Sequence, residues 1–136
     1  MITKLISSLI SLPENSLVAI DFSGSNELEK NWKDIHQVLS NLAPQTKFCL
    51  FDTQVHKVFN SLSEVSDSLA SGICGGGTQV EPVLKLAQEI KVSHICFVTD
   101  GYFPTPTFPS NLSYSWILSA FEPDFKSLPG NKYLII

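Results

Sequence analysis

The chain contains no arginine: its nine basic residues are all lysines, set against thirteen acidic ones, for a formal net charge of −4 over 136 residues. Neutralising a phosphate backbone takes clustered cations, so this composition argues against a nucleic-acid partner. Charge of either sign is sparse, at 16% of residues, while 43% are hydrophobic. A disordered chain would show the reverse balance, so a folded domain is expected. Cysteine is scarce too. Cys49, Cys74 and Cys96 are an odd set with no CxxC pair, which excludes a disulfide framework or a zinc knuckle. Cys49 and Cys96 sit inside the apolar runs KFCLF and HICFV and read as buried free thiols, in keeping with a reducing, cytoplasmic compartment. No apolar run approaches the roughly 20 residues that span a bilayer. The opening MITKLISSLISL carries serines and lacks a small-residue cleavage site, so neither a membrane span nor a signal peptide is expected. With no linker-like stretch, charge run or internal repeat, residues 1–136 read as a single domain.

What is present is an alternation of strand and helix patterns. Ile2, Leu5, Ile6, Leu9 and Ile10 recur at helical spacing and predict an amphipathic helix over residues 2–11, ended by Pro13. Residues 16–20 form a run apolar on both faces, as in a central parallel strand, and end at Asp21. Leu28, Trp32, Ile35, Leu39 and Leu42 mark a helix closed by Pro44. Residues 47–52 and 55–60 are strands separated by Thr53-Gln54 and pair as a hairpin. A short helix around Leu62, Val65 and Leu69 leads into the glycine loop 72–78. A further helix follows at residues 80–90, with Pro82 in its first turn. Strands are predicted at 94–99, 112–118 and 133–136, with Pro-rich loop between the first two. This order predicts an α/β fold: a three-layer, doubly wound, mainly parallel sheet with helices on both faces and one antiparallel edge strand.

Ligands of doubly wound sheets bind beyond the carboxyl ends of the strands. Asp21, Ser23 and Ser25 follow the first central strand, Thr78 ends the glycine loop before a helix, and Asp100 follows strand 94–99. Two carboxylates and three hydroxyls are hard oxygen donors, suited to a small hard cation such as Mg²⁺, which takes six oxygens and keeps several waters. Each piece alone has a plainer explanation: Thr78 as a helix N-cap, Thr99-Asp100-Gly101 as a turn. Tyr102, Phe103 and Phe108, beside this set, suit either a docking surface or packing over the sheet. His36, His56 and His94 lie on separate elements.

Asp21-Phe22-Ser23-Gly24-Ser25, Gly76-Gly77-Thr78 and Thr99-Asp100-Gly101 resemble the three parts of the metal-ion-dependent adhesion site of von Willebrand factor A domains. The resemblance spans nearly the whole chain. It is nearest to bacterial A-like domains found behind metallopeptidases, which also combine a GGGT loop, a TDG turn and a Trp-bearing strand, here Tyr114 to Leu118. Their peptidase carries an HExxH helix that this chain lacks, so peptidase activity is not implied. The resemblance implies hydroxyl ligation of Mg²⁺ (or Mn²⁺ or Ca²⁺) by Ser23, Ser25 and Thr78. Asp21 and Asp100 would bind the ion directly or through water, and one position would stay open for an acidic side chain of a partner protein. It also leaves room for a separately encoded ATPase or peptidase as that partner. This chain departs from the pattern at Gln79, where an Asp is common, and in the Pro-rich loop that replaces a helix after the TDG turn.

The function expected is therefore a non-enzymatic, metal-dependent interaction module, with neither nucleic acid nor membrane as partner. Two alternatives stand beside it: a metal-free scaffold of the same fold, and a phosphoryl-transfer hydrolase using Asp21. Hydrolases resembling haloacid dehalogenases need a second Asp two residues on, where this chain has Ser23.

Overall fold

A computed structural model describes residues 2–5, 12–22, 28–40, 42, 45–70, 78–100, 103–118 and 128–135. The elements in chain order are β1 (Ile2–Leu5), β2 (Ser16–Asp21), α1 (Leu28–Leu39), β3 (Lys47–Phe51), β4 (Val55–Phe59), α2 (Leu62–Ala70), α3 (Glu81–Glu89), β5 (His94–Thr99), β6 (Ser113–Leu118) and β7 (Asn131–Ile135). The strands form one seven-stranded sheet in the order β1-β7-β6-β5-β2-β3-β4. Every pairing is parallel except β3 with β4, the antiparallel hairpin that makes one edge. From β2 the chain builds outward through β3 to one side and through β5, β6 and β7 to the other. The point of reversal lies between β2 and β5, where doubly wound sheets hold their ligands.

β2 and β5 are buried at every position because both their faces are covered. Leu17, Ala19, Cys49, Phe51, Ile95, Phe97 and Trp116 pack with Val83, Leu84 and Ala87 of α3. The alternate residues Val18, Ile20, Phe48, Leu50, Cys96, Val98 and Ile117 pack with Ile35, Val38 and Leu39 of α1 and Val65 of α2. The period of two along each strand thus sorts the side chains into two separate clusters. β4 is largely exposed: His56, Lys57 and Val58 face solvent while Phe59 is buried, as suits an edge.

Over residues 2–5 the predicted amphipathic helix is incorrect. The segment is β1, paired in parallel with β7 from Ile2 opposite Lys132 to Leu5 opposite Ile135. Ile2, Thr3 and Leu5 suit a strand, and pairing with a segment some 130 residues away leaves no local trace. Residues 6–11 lie outside the described residues. The other predicted elements match within a few residues at their ends. No helix among the described residues is long and apolar enough to cross a membrane.

The Pro-rich loop 103–112 is held down by aromatic rings. Trp116, wholly buried, stacks on Phe97 with ring centroids 4.5 Å apart and on Phe103 at 5.7 Å. Phe108 meets Tyr114 and Trp116 edge-on. Packing over the sheet therefore accounts for Phe103 and Phe108, while Tyr102 lies outside the described residues. The Trp116 indole N–H donates to the Pro129 carbonyl at 2.7 Å, tying the approach to β7 to the same ring.

Candidate functional site at the carboxyl rim

β2, β3 and β5 all run in one direction, so their final residues share one rim of the sheet. Each of these strands ends at, or is followed by, an aspartate: Asp21, Asp52 and Asp100. All three are buried, Asp21 completely, with 0% of its surface exposed. Thr99, at the end of β5, donates its hydroxyl to Asp21 Oδ2 at 2.7 Å, a short bond of the charge-assisted kind.

Thr78 arrives from a different direction. The backbone N–H of Gln79 donates to the Asp52 carbonyl at 2.8 Å, anchoring the start of the α3 segment to the end of β3. The Phe22 N–H likewise donates to the Phe51 carbonyl at 3.1 Å, so the chain leaving β2 stays against β3. Between these anchors the Thr78 hydroxyl points at the Asp21 carboxylate, 3.5 Å from each oxygen. These distances are at the long limit of a hydrogen bond, so Thr78 is better described as a neighbour facing the carboxylate than as its main donor. The N-cap of α3 is Val80, with no side-chain capping bond, so Thr78 does not serve as that helix's cap.

The rim thus brings Asp21 and Thr78 together, and it holds Asp100 next in sequence to the threonine that bonds Asp21. Ser23 and Ser25 lie outside the described residues, as does most of the glycine loop, 71–77. Among the described residues, no three or more His, Cys, Asp or Glu side chains gather where they could hold a metal ion.

Three rim residues were not anticipated. The sequence marks Thr99 only as part of a turn, and its bond to Asp21 joins residues 78 positions apart. Asp52 obeys the same strand-end rule that singled out Asp21 and Asp100, and that rule could have found it. His56, which the sequence places on an element apart from the other histidines, bonds Asp52 Oδ1 through Nε2 at 2.7 Å and lies edge-on to Phe22, ring centroids 5.1 Å apart. The same Asp52 oxygen accepts the Gln54 backbone N–H at 3.1 Å, which closes the β3–β4 turn.

No protein-family model matches the chain, and no curated protein matches it either.

Proposed function

We propose that this protein is an interaction module of the von Willebrand A type, with three-layer wrapping of its sheet, that binds a divalent cation at the carboxyl rim. The observation that carries the reading is the approach of the Thr78 hydroxyl to the Asp21 carboxylate across 57 residues of sequence, from a position that caps no helix. Support also comes from the reversal of strand order at β2 and β5 and from the antiparallel edge at β4. The donors are hard oxygens, matching the preference of Mg²⁺. In this reading Asp21, Thr78 and Asp100 hold the ion together with Ser23 and Ser25, whose part rests on the DxSxS spacing alone. The ion would supply an electrophilic anchor for a carboxylate of a partner protein. Thr99 would keep the Asp21 carboxylate turned toward the ion.

A metal-free scaffold is the competing reading, favoured by the Thr99 bond, which gives the Asp21 carboxylate a strong donor without any ion. Calorimetric titration with MgCl₂ separates the two. The metal-binding reading expects saturable heat that disappears in Asp21→Ala. Heat that is absent, or equal in both proteins, would leave the scaffold.

A further inference from the structure

The opposite rim carries a second constellation. β5 begins at His94 and β6 at Ser113, and the two are paired across the parallel ladder. His94 Nδ1 lies 2.6 Å from Ser113 Oγ and Nε2 lies 2.9 Å from Ser115 Oγ, so both imidazole nitrogens are engaged by hydroxyls. His94 is buried while Ser113 is exposed. The cluster opens onto a cavity of about 520 Å³, walled by Leu12, Pro13, Phe108, Leu112, Tyr114 and Tyr133 among others. Among the described residues that line it, none is an Asp, Glu, Lys or Arg.

The two serine hydroxyls can serve either imidazole tautomer, and the one that makes His94 a base toward Ser113 is the one with Nε2 protonated. With Nε2 protonated and donating to Ser115, Nδ1 presents its lone pair to the Ser113 hydroxyl across the shorter contact. The opposite tautomer would turn the Ser113 proton to the Ser93 carbonyl at 3.4 Å, a weak bond. The first arrangement is that of a nucleophile, a base, and a third group orienting the base.

We propose that Ser113 and His94 form an esterolytic pair at the amino rim, acting on small uncharged esters with an apolar acyl group. Ser113 Oγ attacks the ester carbonyl carbon as Nδ1 takes the hydroxyl proton. The tetrahedral adduct collapses, its C–O bond breaks, and the departing alcohol takes that proton from Nδ1. Water then attacks the acyl-Ser113 carbonyl, giving a proton to Nδ1, and Ser113 Oγ leaves with it, releasing the carboxylic acid. No redox partner is required. The uncharged, largely apolar lining selects for the neutral acyl group. Burial lowers the His94 pKa, which keeps the imidazole neutral and able to accept a proton at pH 7. Ser115 acts through His94 as a positioning residue. None of this draws on the residues of the carboxyl rim.

The test is labelling of the intact chain by a neutral alkyl fluorophosphonate, together with hydrolysis of p-nitrophenyl butyrate. Labelling should map to Ser113 by tandem mass spectrometry and vanish in Ser113→Ala, whose exposed position tolerates the change. His94→Gln should slow labelling by roughly a hundredfold or more. Ser115→Ala should lower kcat with KM unchanged, and Ser115→Thr should restore it. Circular dichroism of each variant confirms that it is folded. A folded wild-type chain that takes no label, or label that persists in Ser113→Ala, would overturn the proposal and leave the trio as a hydrogen-bonded ladder.

Discussion

Replacing Thr99 by Val tests whether the rim is organised around an ionised Asp21. The two side chains are nearly the same shape, so Thr99→Val leaves no cavity and removes only the hydroxyl. That hydroxyl is the donor in the 2.7 Å bond to Asp21 Oδ2, and both residues are essentially sealed from water, at 1% and 0% exposure. A hydrogen bond to a charged group contributes about 1.5–3 kcal/mol, and water cannot replace it here. The expected loss is therefore about 2 kcal/mol. At about 4 °C per kcal/mol for a domain of this size, Tm should fall by roughly 8 °C. Thr99→Ser is the internal control. It keeps the donor and gives up one methyl group, about 1 kcal/mol. Urea unfolding followed by circular dichroism should rank wild type above Ser and Ser above Val, with the m-value constant across the three. If Val is as stable as wild type, or Ser is the weaker variant, Asp21 is not held as a charged acceptor and the reasoning about the rim fails.

Four further outcomes follow from packing and titration. Gly130 has φ +90, and a Cβ there would run into the carbonyl oxygen of Tyr114. Gly130→Ala should accordingly cost about 2–4 kcal/mol in urea unfolding. Burial pushes the Cys49 and Cys96 thiols up to about 12 from 9.0, with a Ser115 hydrogen bond partly opposing this at Cys96. The folded chain then holds protons that the unfolded chain releases, so their stabilisation is complete below pH 9 and is lost as pH rises toward 12. The alkaline loss should shrink in a Cys49→Ala/Cys96→Ala double variant. The His94 pKa is lowered by burial, so its contribution is present above about 6.5 and is lost as pH falls. His94→Gln should flatten the stability profile below that value. Trp116→Phe removes the 2.7 Å bond to the Pro129 carbonyl and part of a stacked ring, and should cost about 2–4 kcal/mol.

Most of the sheet could be read from local pattern because its strands are short apolar runs bounded by Pro, Gly and Asp. The β3–β4 hairpin was legible from Thr53-Gln54 alone, and the burial of β2 and β5 from their lack of alternation. β1 was not legible. Four residues cannot settle a period, and the partner that makes them a strand lies at the far end of the chain. At the site, strand-end aspartates were visible as residue types. The Thr99–Asp21 bond was not, because it depends on which strands are neighbours and in what register. The same holds for His94 with Ser113 and Ser115: three ordinary polar residues become a cluster only once β5 and β6 are aligned from their first residues.

β5 carries His94 at its first position and Thr99 at its last. Five steps of about 3.3 Å set these two polar ends roughly 17 Å apart on a single rigid segment. Because side chains alternate, inserting or deleting one residue inside β5 would turn at least one end to the wrong face. Such a change would dislodge either the aspartate clamp or the imidazole cluster, however conservative the inserted residue. The strand works as a gauge block between two polar edges, and its length is under tighter constraint than the identity of its middle residues.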